Sequence, residues 1–186
     1  MDKERVKELV AYLIKEIEGN DGDLRPATKE TPRRVANAYS EIFDGYRIDI
    51  DREIKIFKAN YSEIIISKDI KFYSMCEHHI LPFFGTVDIA YMPGEYLLGI
   101  SKFARIVNFF SHRLNVQEKM TDDIANYIMN CTLNPRGVMV VVKGTHLCEI
   151  MRGVKQSNPI IITSAIKGIF KTNHATRSEA LELLKL

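Results

Sequence analysis

Cysteine is scarce in this chain, with three residues in 186, and histidine is nearly as rare, with five. Three cysteines cannot build the disulfide framework of a small secreted domain. Net charge is almost absent as well: 26 Lys and Arg stand against 24 Asp and Glu, which leaves +2. A balance of that kind excludes a strongly basic nucleic-acid-binding surface and predicts no nucleic acid partner. Long hydrophobic runs are missing. The longest apolar stretches, Val138 to Val142 and Pro159 to Ile162, are strand-length and fall far short of the roughly 20 residues that span a bilayer. The start, Met1-Asp2-Lys3-Glu4-Arg5, is charged at once and leads into no signal-peptide apolar run. The expectation is a cytoplasmic protein without a membrane partner, in which thiolates stay reduced. The chain also lacks internal repeats and low-complexity segments.

What the chain does have is a core-forming share of apolar residues, 46% against 27% charged, over a length that fits one domain. Its scarce residues are also concentrated. Two of the three cysteines and three of the five histidines fall in Cys76-Glu77-His78-His79 and His146-Leu147-Cys148. A lone cysteine is most often a small buried apolar residue, and a lone histidine a satisfied polar group. Two such clusters in a chain otherwise poor in both favour a metal, because thiolate and imidazole are the ligands zinc prefers. Cys76, His79 and Cys148 supply three ligands and leave the fourth position to water, the arrangement of a catalytic zinc.

Periodicity predicts the elements. Residues 2 to 18 form an amphipathic helix, with Val6, Leu9, Val10, Leu13, Ile14 and Ile17 at helical spacing. A loop follows to about residue 30. Thr31-Pro32 then starts a second helix, with threonine as N-cap, and Gly45 ends it. Ile64 to Met75 and Phe83 to Met92 read as strands, the second with Val87, Ile89 and Tyr91 on one face. The cluster Cys76 to His79 therefore lies where two strands connect. Ser101 is the expected N-cap of a helix reaching Arg113, and after a break at Leu114-Asn115 another helix covers Gln117 to Cys131. Val138 to Val142 is a buried strand leading to His146, Ile160 to Ile166 a further strand, and Ala175 to Lys185 a closing helix. Cys131 belongs to no motif and reads as a core residue. The fold class is α+β, an antiparallel sheet backed by a helix pair, with an N-terminal helical region over 1–55 and the main domain over 56–186.

Several motifs carry a resemblance. Cys76-Glu77-His78-His79, Pro82-Phe83-Phe84-Gly85, Ala90-Tyr91-Met92-Pro93, Gly99-Ile100-Ser101-Lys102 and Val116-Gln117-Glu118 occur in that order. They are followed by His146-Leu147-Cys148 through Met151-Arg152-Gly153-Val154, and by Gly168-Ile169-Phe170. As a set they resemble the GTP cyclohydrolase I family from about Thr31 to the C-terminus. The resemblance implies the tunnelling fold, with a barrel completed by oligomerisation, and a homodecamer of two pentamer rings whose active sites lie at subunit interfaces. It implies Zn2+ as cofactor and GTP as substrate. Carbon 8 of the guanine is attacked, the imidazole ring opens, formate leaves, and the ribose rearranges to give 7,8-dihydroneopterin triphosphate. That is the first step of folate and tetrahydropterin biosynthesis.

The same resemblance assigns roles. Cys76, His79 and Cys148 take the zinc, His146 transfers protons near the purine and ribose, and His78 is a further active-site histidine. Glu118 with Gln117 holds the guanine edge, a carboxylate accepting from the ring N–H and amino group together. Ser101, Lys102, Arg105 and Arg152 line the ribose and triphosphate, since free N–H groups at a helix start suit an anion. The chain departs from the family pattern at Thr86, where relatives usually have lysine, at Asn37, where some relatives carry one, and at Pro159-Ile160-Ile161-Ile162, where a Ser/Thr-rich run is usual. Two alternatives therefore stand beside the main reading: a related zinc-dependent hydrolase acting on a different purine nucleotide, and a non-catalytic pterin- or purine-binding ring.

Overall fold

Helix-forming and strand-forming periodicities separate along the chain, and the computed structural model, which describes residues 1–58 and 60–186, separates with them. It divides into two compact units, Met1–Asp44 and Gly45–Leu186. In the first, helix α1 (Lys3–Glu18) opens on Asp2, whose side chain accepts from the Arg5 amide at 3.1 Å. It closes on Gly19 at φ +59°, with the Asn20 amide returning to the Lys15 carbonyl. Helix α2 (Thr31–Ile42) packs on α1. Thr31 is the first helical residue here and not the N-cap. Glu30 takes the cap position in a helical conformation and turns its side chain to Arg33 instead.

The second unit is built on a five-stranded sheet in the order β5-β2-β3-β6-β7. Its strands are β2 (Ile65–Cys76), β3 (Pro82–Met92), β5 (Leu114–Asn115), β6 (Gly137–His146) and β7 (Ile161–Gly168). All neighbours are antiparallel except β5, which runs parallel to the end of β2. A separate pair, β1 (Ile56–Lys58) and β4 (Tyr96–Leu98), lies outside this sheet, with the short helix α3 (Ile50–Glu53) before it. Neither the pair nor the short helix was visible in the periodicity, because three or four residues carry too little pattern. Gly45 lies in a 3-10 turn beyond the end of α2 and does not cap it. A Cβ there would meet the Phe109 carbonyl at 2.4 Å.

Alternation along β3 decides what covers each face of the sheet. Phe83, Val87, Ile89 and Tyr91 are fully buried against helices α4 (Ile100–Ser111) and α5 (Gln117–Asn130). Phe103, Ile106 and Val107 of α4, with Met120, Ile124 and Ile128 of α5, complete that core. On the opposite face Ala90, Met92 and Met139 pack with Phe170 of α7 (Ile169–Thr172) and Ala180 of α8 (His174–Lys185). Ser101 is not the N-cap of α4: Gly99 holds that position, its carbonyl already accepting from the Lys102 amide at 2.8 Å. Strand β6 runs past Val142 to His146, because Lys143 to His146 keep pairing with β3. At the far end of the sheet, a bulge between Ser67 and Ile70 turns the Asp69 amide onto buried Asp88, which also holds Lys143 at 3.0 Å.

Candidate metal centre and active site

The turn joining β2 to β3 is tight. The Cys76 amide donates to the Leu81 carbonyl at 2.8 Å, and the Cys76 carbonyl accepts from the amides of both His79 and Ile80. Closing it forces Ile80 to φ +52°, a cost of about 1–2 kcal/mol for a β-branched residue. The result brings His79 back over Cys76, with Nδ1 3.6 Å from the thiol sulfur. Cys148 arrives from the other direction, in the short helix α6 (Leu147–Ile150) that follows β6 directly. The ligand atoms of Cys76, His79 and Cys148 all lie within 4.8 Å of one another.

These residues fit a tetrahedral metal. Zn–S near 2.3 Å and Zn–N near 2.0–2.1 Å give a ligand–ligand edge of about 3.5 Å, which the Cys76–His79 separation of 3.6 Å matches. Cys76 is buried while His79 is exposed, so a metal there has a protein side and an open side. Burial first, and the neighbouring Cys76 second, push the Cys148 thiol above the usual cysteine range. Two thiols close together in a poorly solvated corner favour a cation that discharges them. Arg152 donates to His79 Nε2 at 3.0 Å. An arginine can only donate, so His79 accepts at Nε2 and carries its hydrogen on Nδ1 in this arrangement.

His146 ends β6 directly opposite Phe83, and the two rings stack at 4.4 Å with 6° between their planes. Burial lowers its pKa below the usual histidine value, while the charges of Glu118 and Glu149 work in the other direction. Its Nε2 lies 2.9 Å from the side-chain oxygen of Gln117. Gln117 is almost fully buried, and its amide nitrogen is engaged by Val142, Ile161 and Thr163. Glu118 is exposed in the first turn of α5, and His78 is exposed beside Glu77 at 4.0 Å.

One chain brings Cys76, His79, Cys148, His146, Gln117 and Arg152 together at one end of the sheet, with Glu118 and His78 nearby. It does not bring Ser101, Lys102 and Arg105 there. The C-terminal end of α4 meets the cluster side, where Ser74 donates to the Ser111 carbonyl at 2.6 Å. Ser101 lies about 15 Å further along at the α-helical rise. At that far end Gly99 bonds the Lys55 carbonyl, and Arg105 pairs with Glu53 at 2.6 Å. Thr86 sits directly between Lys71 and Lys143 in the strand register, so cations flank it on both sides. Asn37 accepts from Lys3 at 3.1 Å. Sequence reading gave no role to Phe83, Thr121, Thr163 or Gly144, all of which touch the His146–Gln117 pair or support it. Only the Pro82-Phe83 motif hinted at one of them.

Sheet, helix pair and the Cys–His–Cys trio at the sheet's end together define an α+β protein with a metal-competent centre. The model of GTP cyclohydrolase I matches residues 6–185. GTP cyclohydrolase 1 of Caldanaerobacter subterraneus subsp. tengcongensis is 47% identical over 186 residues, covering 99% of this chain and 97% of that protein. The GTP cyclohydrolase 1 of Leptospira biflexa serovar Patoc is 44% identical over 182 residues, covering 97% and 98%. The chain belongs to the GTP cyclohydrolase I family of enzymes. Among solved structures, the apo archaeosine synthase QueF-Like aligns with a TM-score of 0.47 at 20% identity, over 59% of this chain and 97% of that one.

Proposed function

We propose that this chain opens the guanine imidazole ring of GTP by hydrolysis, releases formate and forms 7,8-dihydroneopterin triphosphate, with residues 56–186 as the catalytic domain. The observation that carries the reading is the Cys76–His79–Cys148 trio with His146 beside it. Zn2+ held by that trio would supply a Lewis acid able to activate water near neutral pH. His146, whose pKa burial lowers, accepts and returns a proton at the purine and ribose. His78 faces solvent at the same rim as a second proton-transfer group. Glu118 accepts from the guanine edge, and Arg152 turns to the phosphates.

Ser101, Lys102 and Arg105 belong to the triphosphate, and in a homodecamer they come from a neighbouring subunit. Their distance from the trio along α4 supports a site shared between chains. Further support lies at the sheet edges. Among the described residues strand β7 pairs with β6 alone, and beside its other edge Ile160 and Ile162 are 64% and 63% exposed. An open apolar edge is a template for another copy. Among the described residues Arg105 is paired with a surface carboxylate, a contact worth about 0–1 kcal/mol that an anion can displace. No helix among the described residues is long and apolar enough to cross a membrane, and a cytoplasmic setting would keep the thiols reduced.

Incubating the zinc-loaded protein with GTP should release one formate per GTP and yield a pterin that fluoresces after oxidation. GTP left intact by a fully metal-loaded, assembled protein overturns the proposal. Consumption of another purine nucleotide in its place would move the reading to the related hydrolase.

A further inference from the structure

We infer that Gln117 is a positioning residue for His146, fixing the ring's orientation and holding the imidazole as its Nε2–H tautomer. The inference rests on the reading of His146 as the proton-transfer group. Its argument is a count of donors and acceptors. The Gln117 side-chain nitrogen faces the carbonyls of Ile161 at 3.0 Å and Val142 at 3.3 Å. A carbonyl only accepts, so the amide group cannot be turned around, and its oxygen must be the atom 2.9 Å from His146 Nε2.

The neighbouring hydroxyls agree with this orientation. Thr121 donates to the Gln117 backbone carbonyl at 2.7 Å, which uses its only hydrogen. Thr163, 2.6 Å from Thr121, must therefore donate to it, and is left as an acceptor for the Gln117 nitrogen at 3.1 Å. Every hydrogen in the chain Thr163–Thr121–Gln117 has one direction. The amide oxygen at its end is a pure acceptor, so His146 Nε2 carries the hydrogen between them. Phe83, stacked on the ring, and Gln117, at its edge, fix its plane and its rotation about that plane. Gly144 leaves the room this requires, since a Cβ there would lie 2.2 Å from the Gln117 oxygen.

Gln117 is thus a buried strut, and removing it should change turnover more than substrate affinity. The test is the long-range proton–nitrogen correlation spectrum of the histidine rings in the full, zinc-loaded chain at about pH 8, where an ordinary histidine is neutral. His146 should show a pyrrole-like Nε2 and a pyridine-like Nδ1. Gln117→Leu should mix the tautomers, keep its zinc, lower kcat by roughly 10- to 100-fold and change KM less than about threefold. Gly144→Ala, which leaves Gln117 in place but pushes its oxygen aside, should do the same if the leucine variant does not fold. A wild-type His146 with its hydrogen on Nδ1 overturns the inference even if neither variant folds. So does a folded variant with its tautomer unchanged, or one whose loss lies in KM alone. If wild-type protein turns over no GTP, the functional reading fails, yet the spectrum still decides the role of Gln117.

Discussion

At the scale of single residues, the metal and Arg152 compete for one imidazole. If His79 were to hold a metal through Nδ1, the nitrogen beside Cys76, its ring hydrogen would sit at Nε2, where the Arg152 contact needs a lone pair. Metal binding in that way would cost one hydrogen bond and bring a cation toward a guanidinium. Arg152→Ala should bind zinc about 2- to 12-fold more tightly, from a net hydrogen-bond worth of about 0.5–1.5 kcal/mol, as measured by competition with a chelating dye. Weaker binding in the variant would mean that Arg152 supports the ligand set. Cys148 adds a pH dependence. Its thiol is pushed up by burial and by Cys76, so it is protonated across neutral pH and must release that proton to bind metal. Apparent zinc affinity should rise at least about tenfold per pH unit below the thiol's pKa. Cys148→Ser should flatten that slope and lose most of the metal while remaining folded. A wild-type affinity independent of pH between about 6 and 8 would remove Cys148 from the ligand set.

At the scale of elements, the site is carried by strand ends that the helix pair holds in place. Ile124 of α5 is fully buried against the sheet face that carries Phe83. It touches none of the ligating groups, so its truncation separates stability from chemistry. Ile124→Ala should cost about 2–5 kcal/mol, read from denaturant unfolding, with metal content per folded chain unchanged. A variant of full stability would show that α5 is held by polar contacts such as those of Gln117. The Thr86 environment belongs to this scale too. Lys71 and Lys143 stand directly across from it on the two neighbouring strands, and Lys143 is held by Asp88. Positive charge is thus present beside position 86 without a lysine at it.

At the scale of the whole molecule, a single chain has a metal corner at one end of the sheet and an anion-suited helix start at the other. Assembly is what would join them. Ile162→Lys places a charge on the open apolar edge of β7, where it resists edge-to-edge pairing. Sedimentation should show smaller species than the wild type, with the circular dichroism of the fold retained and GTP turnover lost along with the assembly. A wild type that sediments as an active monomer would sink the shared-site reading.

The metal trio, the helix pair and the two long strands were legible in the sequence, because they depend on local features. Thiolate and imidazole have few other uses in a chain so poor in both, and residues such as Phe103, Ile106, Val107 and Phe110 repeat at the helical period regardless of what they pack on. Caps were legible less well: Thr31 and Ser101 have the right chemistry, but Glu30 and Gly99 take the positions, since a cap is decided by where the preceding turn closes. What the tertiary structure alone decided is which side chains meet. Gln117 and Glu118 are adjacent in sequence, yet one is sealed under β6 and β7 while the other faces water. Helical geometry turns neighbours about 100° apart, so burial separated two residues that sequence reading had placed on the same ligand. In the same way Phe83 and His146, remote in sequence, became one stacked pair through strand register, a long-range choice that no local pattern encodes.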